Sequence, residues 1–587
     1  MSVRPILLLL CLLLSNLSIA GCAPSTPTSP TSTTEIARPA PPATTGRDAR
    51  LAQWRQLGYG MFVHWGLYSE LGGAWNGQPV KQGYSEQIQS WAKIPHEEYA
   101  RVAERFTAER FDADAICRLA KDAGARYIVV TSKHHDGFAM FDTTSTDFDI
   151  VDRTPFGRDP LKLLSDACRK LGLGFGVYFS LVDWHAGHAF DPDNGNPIPA
   201  SMEPLIEQQL RELMSNYGPI AEVWFDMATP TPEQSRRFAA IVRELQPQAA
   251  INGRVWNNVG DFVTLGDNES PPPSMQPPFQ TPASIYHATW GYRSWQVRDD
   301  RDGKIRELVR GLVDVRAAGG NYLLNIGPKG DGSIVPFEAE VLHGIGDWLR
   351  RHPDAMPDAT PSGLPPQSWG ATSRSGDTLF LYVRDWDDEI ALDGVASDPC
   401  RIVLDAAPAD ARQPLQWRRD GDTLHIVLPA RMRADPVLPV LRIEFDAPPR
   451  IVPPWTASTA SGGRIRIPRA QWRAGTSFGF GSGYRSQYRT TVQWSASVAL
   501  PQPRQVMLRL HGVKSRGDRR YRIAIGDSAI EVDGTRLRDA ALGPFTLPAS
   551  RALPLTIRLA DPAWLAEDLG LDFDSAELQP LQDNAAR

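Results

Sequence analysis

The sequence predicts an α/β chain in three folded parts, a (β/α) barrel followed by a β-sandwich and a further all-β C-terminal domain. Three observations predict it. Between about Leu51 and His352, short β-rich apolar runs alternate with longer segments of helical period, the pattern of βα units around a parallel sheet. Polar, aromatic and acidic residues gather where the predicted strands end, which is where a barrel builds its active site. After Pro353 the texture changes to short alternating runs without helical period. The 587 residues suit several domains of about 100–200 residues each. Hydrophobic residues at 42% and charged residues at 22% are ordinary globular usage, so most of the chain can bury cores.

The N-terminus reads as a leader. Arg4 precedes an apolar run over residues 6–14, and the small residues Ala20 and Gly21 follow, the layout of a secretory signal over residues 1–21. Ile19-Ala20-Gly21-Cys22 resembles the bacterial lipobox, which makes Cys22 the expected lipidation site. Ordinary cleavage nearby, with Cys22 left free, is the alternative. Lipidation would hold the protein in the cell envelope outside the cytoplasm, in the periplasm or at the outer membrane, by its lipid alone. No later stretch approaches the roughly 20 apolar residues of a membrane-spanning helix. Residues 22–46 read as a tether: from 23 to 45 all but Glu35, Ile36 and Arg38 are Ala, Pro, Ser or Thr, too polar to offset ordering entropy.

Residues 47–355 form the predicted barrel, with strands at 58–63, 127–131, 174–180, 221–226, 249–254 and 321–327. Thr231-Pro232-Glu233-Gln234 signals a helix start with a capping box. Asp159-Pro160 opens another helix, which Gly172 closes in a left-handed cap. No glycine-rich phosphate turn follows the first strand, which argues against a doubly wound sheet. Residues 356–450 read as a small antiparallel sandwich, with strands at 378–383, 423–428 and 440–445. Residues 451–587 form the all-β accessory domain, with strands at 506–510, 521–525 and 555–559 and possible sugar or surface contacts. Its aromatics Trp472, Phe478, Tyr484, Tyr488 and Trp494 fit a sandwich core first and sugar contacts second. Residues 464–522 carry thirteen Lys or Arg against Asp518 alone, a solvated basic face or else a docking patch for acidic glycan or lipid. The net charge of -6 excludes a general nucleic-acid binder. Cys11, Cys22, Cys117, Cys168 and Cys400 lack CxxC spacing, so neither a zinc cage nor a disulfide framework is indicated.

Two clusters carry chemistry. Ala221-Glu222-Val223-Trp224-Phe225-Asp226 alternates so that Trp224 and Asp226 share one face, the barrel interior if Val223 and Phe225 pack on helices. A carboxylate buried beside an indole costs several kcal/mol unless partnered, which favours function over stability. His134 and His135 point to opposite sides of an extended segment, a poor pair of metal ligands. Neutral imidazoles each offer one donor and one acceptor, which suits several sugar hydroxyls.

Phe62-Val63-His64-Trp65-Gly66, Tyr84-Ser85-Glu86, Lys133 to Phe138, Gly176-Val177-Tyr178-Phe179-Ser180, Val223-Trp224-Phe225-Asp226, Trp290-Gly291-Tyr292 and Asn321-Tyr322-Leu323-Leu324-Asn325-Ile326-Gly327-Pro328 together resemble glycoside hydrolase family 29, the retaining α-L-fucosidases. The resemblance runs in order from about residue 51 to 450 and implies a (β/α)8-like barrel followed by a β-sandwich. It implies an enzyme that releases terminal α-L-fucose from fucosylated oligosaccharides or glycoconjugates by double displacement, with no metal or organic cofactor. Asp226 matches the nucleophile. His64, His134, His135 and Trp224 match residues that hold sugar hydroxyls, Tyr178 lies near the nucleophile, Arg254 near the developing charge, and Glu86 matches a substrate-contacting carboxylate. Trp290 would face the 6-methyl group.

The sequence departs from that pattern twice. Gln87 stands where relatives commonly carry Trp, and Phe279-Gln280 stands where many carry a Trp-Glu acid/base pair. Glutamine cannot protonate a leaving oxygen. Glu269, in Gly266-Asp267-Asn268-Glu269, is the expected acid/base, with Asp267, Glu86 or no competent acid as the alternatives. The competing functions are a non-catalytic glycan-binding surface lipoprotein on a hydrolase scaffold, favoured by Gln280, and a related glycosidase for a fucose-like sugar.

Overall fold

The computed structural model describes residues 46–581 except 192, 406–411, 413, 429–434, 459–462 and 539, so Cys22, the leader and nearly all of the tether lie outside the described residues. Helix α1 (Gly46–Leu57) leads into an eight-stranded, all-parallel, barrel-like sheet. Its strands are β1 (Tyr59–Val63), β2 (Tyr127–Lys133), β3 (Gly174–Ser180), β4 (Glu222–Asp226), β5 (Ala250–Ile251), β6 (Val263–Thr264), β7 (Phe279–Ser284) and β8 (Asn321–Ile326). They pair in the order β5-β4-β3-β2-β1-β8-β7-β6. Six of the eight were predicted. The missed pair, β6 and β7, has short or β-poor sequence: β7 reads Phe-Gln-Thr-Pro-Ala-Ser. Pro282 is tolerated there because β6 pairs only with Phe279 and Gln280, leaving no ladder bond for the missing N–H to break.

The period-two reading of β4 holds. Trp224 joins Phe62, Tyr127, Tyr178, Trp290 and Leu323 in the barrel interior. Val223 and Phe225 belong instead to the outer core with the helices. The strand expected at 249–254 is shorter, because Asn252 replaces the ladder with its side chain. Its Oδ1 accepts from Phe225 N–H (2.8 Å) and its Nδ2 donates to Phe225 O (2.9 Å). Between the end strands, Ile251 N–H donates to Asp261 Oδ2 (2.9 Å) and Asp261 N–H to Ile251 O (2.7 Å).

The helices between the strands are α2 (Ala113–Asp122), α3 (Pro160–Leu171), α4 (Glu203–Asn216), α5 (Pro232–Leu245), α6 (Arg301–Ala317) and α7 (Pro336–Arg351). Thr231 and Gln234 form the predicted capping box of α5, and Gly172 closes α3 at φ 72. Helices α2 and α3 also bring the free thiols of Cys117 and Cys168 to 3.4 Å, a contact their spacing in sequence does not show. No helix among the described residues is long and apolar enough to cross a membrane.

Antiparallel sheets of five and three strands form the sandwich around Trp369, Leu381 and Ile426. It is fixed to the barrel by the Tyr382 hydroxyl, which donates to Ala355 O (2.8 Å), and by Trp348 Nε1–H, which donates to Leu438 O (2.9 Å). Antiparallel sheets of five and four strands make the C-terminal domain, with Trp472, Trp494 and Tyr521 in its core. Several of its cations meet acids from elsewhere in the chain: Arg464 with Glu577, Arg469 with Asp572, Arg519 with Glu567, Arg520 with Glu531. The basic run is therefore partly balanced on the folded surface by pairs individually worth about 0–1 kcal/mol.

Buried Glu338 in α7 accepts from Gly327 N–H at 3.0 Å, and burial pushes its pKa up to about 8. A raised folded-state pKa stabilises fully below the unfolded value near 4.5, and that stability is lost as pH rises through about 8. Glu338→Gln keeps an acceptor without the charge. In scanning calorimetry its Tm should exceed that of the parent by about 2–4 °C at pH 8, the shift expected for each 1 kcal/mol, and the gain should shrink as pH falls toward 4.5.

Candidate active site

A cavity of about 250 Å³ opens at the C-terminal ends of β1 to β4 and is lined by His64, Glu86, His134, His135, Tyr178, Trp224, Asp226, Arg254 and Trp290. Every sugar-contacting residue expected from the sequence is thus in one place, together with the expected nucleophile. Asp226 ends β4 beside Ser180 of β3. Its Oδ2 accepts from the Tyr178 hydroxyl (2.8 Å) and its Oδ1 from Arg254 Nη1 (3.0 Å). Burial raises the Asp226 pKa, the Arg254 charge opposes that, and the neighbouring Asp267 charge adds to it. Arg254 is buried too, which acts to lower its pKa, but Asp226 and Asp267 outweigh burial and hold it above its ordinary value.

The histidines have assignable tautomers. Asn325 Nδ2 donates to Trp290 O (2.7 Å), so Asn325 Oδ1 must accept, and the His64 Nδ1–H that meets it at 2.7 Å must donate. The Ser180 hydroxyl donates to Val182 O (2.8 Å), so it accepts from His135 Nδ1–H (2.7 Å). Both rings therefore keep Nε2 as an acceptor. Burial lowers the pKa of His64 to about 4 and that of His135 to about 3, so both are neutral at physiological pH. His134 lies parallel to the Tyr178 ring at 5.3 Å, and its Nδ1 is buried without a hydrogen-bond partner among the described residues. Behind them, the buried Lys133 Nζ meets Asp183 Oδ2 at 2.9 Å and anchors the strand end that carries the histidines.

Glu86 sits in a short 3-10 turn, Ser85–Gln87. Its Oε2 accepts from the backbone N–H groups of Trp290 (3.1 Å) and Gly291 (2.8 Å), while burial pushes its pKa up to about 7. Gln87, where an indole was expected, instead accepts from Trp91 Nε1–H (3.1 Å), and both line the cavity. An aromatic wall is thus supplied one helical turn later. It needs Gly83, at φ +60, because a Cβ there would lie 1.9 Å from Trp91 Nε1.

Glu269, the expected acid/base, lies outside the Asp226 cavity. It is exposed, its Oε2 accepts from Gly266 N–H (2.8 Å), and it faces a different cavity with His287 and Glu307. Asp267 lines the Asp226 cavity and accepts from Arg254 Nη2 (2.8 Å), so two carboxylates share one guanidinium. Asn268 separates the two fates: at φ 58 it reverses the chain, while its Oδ1 accepts from Ser284 N–H (2.7 Å).

Gln280 also changes meaning. It lies buried in the barrel, where its Oε1 accepts from Trp224 Nε1–H (2.8 Å) and its Nε2 donates to Tyr127 Oη (2.9 Å) and to Glu222 (3.0 Å). It fixes the Trp224 indole and does not line the cavity. Gln280→Leu would leave a buried carboxylate and an indole N–H short of a partner, an expected loss of about 2–5 kcal/mol by denaturant unfolding. Gln280→Glu should not raise activity. Tyr84, from the Tyr84-Ser85-Glu86 motif, and Tyr484, one of the accessory-domain aromatics, line the cavity as well, and so does Asn194, which no motif in the sequence marks.

A family model described as Alpha-L-fucosidase matches residues 30–354. The tissue alpha-L-fucosidase of Rattus norvegicus is 31% identical over 346 residues, covering 55% of this chain and 72% of that protein. The structure of alpha-L-fucosidase isoenzyme 1 from Paenibacillus thiaminolyticus matches with TM-score 0.59 and 27% identity over 68% of this chain and 99% of that one. The alpha-L-fucosidase of Vibrio sp. strain EJY3 shares the fold with TM-score 0.63 and 24% identity, over 90% of this chain and 98% of its own. A 90% match must include part of the C-terminal domain. With more than half its length matched by the family model and its strand-end residues gathered around one carboxylate, the chain belongs to the α-L-fucosidase family of glycoside hydrolases.

Proposed function

We propose that the protein is a retaining exo-α-L-fucosidase that removes terminal α-L-fucose from oligosaccharides or glycoconjugates through a fucosyl-enzyme ester on Asp226. The observation that carries this reading is the Asp226 carboxylate, buried at the end of β4 and held by Tyr178 and Arg254 in a cavity of about 250 Å³. That volume lies below the roughly 300–1,000 Å³ of drug-sized pockets and suits one sugar ring. Neutral His64 and His135 accept from sugar hydroxyls, and a further hydroxyl would satisfy His134 Nδ1. Trp290 and Phe62, edge to face at 6.0 Å, give an apolar corner for the 6-methyl group.

Asp226 attacks C1 while an acid delivers a proton to the glycosidic oxygen, the C1–O bond breaks, and the aglycone leaves. Water then attacks C1 from the opposite face, losing its proton to the same group, which restores Asp226 and releases α-L-fucose. Asp267 is the favoured acid/base, since it shares Arg254 with Asp226 and its greater exposure, 25% against 11%, gives it proton exchange with solvent. Two carboxylates on one guanidinium suit the separation of about 5–5.5 Å that retaining pairs use. Glu86 is the second reading, favoured by a pKa near 7, a value matched to acid catalysis at neutral pH.

The glycan-binding alternative loses its main support, because Gln280 holds Trp224 inside the barrel and does not line the cavity. We also propose envelope anchoring through Cys22, supported by Ile19-Ala20-Gly21-Cys22. The folded chain should release nitrophenol from 4-nitrophenyl α-L-fucoside or fucose from fucosylated oligosaccharides within a panel of glycosides. Turnover of another glycoside alone, or binding without turnover, would overturn the reading.

A further inference from the structure

In the C-terminal domain, strands β9 (Arg473–Phe480) and β10 (Gln487–Leu500) are joined by a turn over residues 481–486 that reaches the barrel mouth. Four contacts hold the hairpin there. Phe480 N–H donates to Asn258 Oδ1 (2.6 Å), Asn257 N–H donates to Gly481 O (2.8 Å), Arg485 pairs with Asp193 (2.6 Å), and the buried Phe480 ring packs on Trp256 at 5.9 Å. Gly483, at φ +155, permits the approach, since a Cβ there would lie 2.8 Å from Thr229 Cγ2. Tyr484 is thereby set into the wall of the Asp226 cavity, 5.7 Å from the Arg254 guanidinium, with 49% of its surface exposed. Trp472 and Trp494 of the same domain are core residues, so Tyr484 is an aromatic this domain presents and does not bury. Tyr84 and Trp91 complete the aromatic rim.

We propose that this turn forms one wall of an aglycone subsite, in which Tyr484 stacks on the sugar that carries the fucose. The proposal deepens the fucosidase reading and rests on it. Asp226 and the histidines surround the glycone, so the leaving sugar must lie toward the rim, where Tyr484, Gln87 and Asp193 offer a ring face and polar groups. Tyrosine gives rigid amphipathic contact at low conformational cost. The C-terminal domain is then part of the specificity machinery.

The test compares Tyr484→Ala and Tyr484→Phe on fucosyllactose and on α-L-fucosyl fluoride, which has no aglycone sugar. Tyr484→Ala should lower kcat/KM on fucosyllactose about tenfold, mainly through KM, and on the fluoride by less than about twofold, while Tyr484→Phe retains most of the contact. A parallel calorimetric measurement on an Asp226→Gly background should show the affinity ratio of fucosyllactose to L-fucose falling about tenfold with Tyr484→Ala. Equal losses on both substrates, or an unchanged affinity ratio, would overturn the subsite. If the parent hydrolyses nothing yet the ratio falls, the subsite stands and only the fucosidase reading fails.

Discussion

Asp226→Gly should reduce turnover of α-L-fucosides by about 10³-fold or more while the protein stays folded. The carboxylate is the only acid that both ends a barrel strand in the interior-facing register and receives the Tyr178 hydroxyl and the Arg254 guanidinium, among the described residues that line the cavity. Its removal takes away a charge that burial already disfavours, and Arg254 keeps Asp267, so no cation is stranded. A small nucleophile should enter the space left behind. With azide and an activated α-fucoside, the variant should form β-fucosyl azide, because azide then attacks from the face Asp226 occupied. Recovery of α-fucosyl azide would move the nucleophile elsewhere.

Asp267→Asn should slow hydrolysis of oligosaccharides by about 10²–10⁴-fold and that of fucosyl fluoride far less, since fluoride leaves without protonation. Here azide should give α-fucosyl azide, by attack on an intact fucosyl-enzyme. Glu269→Gln should remain close to the parent, because its side chain folds back on Gly266 N–H and faces another cavity. Glu86→Gln tests the second reading. If Glu86 is the acid, its pKa near 7 sets the alkaline limb of the kcat/KM profile, and that limb disappears in the variant. If Asp267 is the acid, Glu86→Gln weakens substrate contact, keeps the limb and shows no azide product.

The parts legible in the sequence were those fixed by local periodicity or by ordered motifs. The two-residue alternation of β4 sends Trp224 and Asp226 inward and Val223 and Phe225 outward. The motifs around His64, His134 and Trp290 then converge because each ends, or closely follows, a barrel strand. Direction within a turn was not legible. Asp267 and Glu269 stand two residues apart, and only the left-handed backbone of Asn268 decides which one faces Asp226. The place of Gln280 was not legible for a similar reason: it depends on Trp224, Tyr127 and Glu222, which reach it from three other parts of the chain. Strand β7 has few β-forming residues, and its pairing comes from neighbours on both sides. Tyr484 approaches from another domain, through packing of Phe480 on the barrel.

The role of Asp226 is tested most directly by trapping the glycosyl-enzyme with 2-deoxy-2-fluoro-α-L-fucosyl fluoride and locating the added mass by peptide mass spectrometry. The fluorine at C2 slows both steps, and fluoride departs without an acid, so the ester accumulates whichever group is the acid/base. A single fluorofucosyl adduct should form on Asp226, within the β4 segment Glu222–Asp226 or its flanking peptide. An adduct on Asp267 or Glu86, or inactivation with no covalent adduct, would contradict Asp226 as the nucleophile.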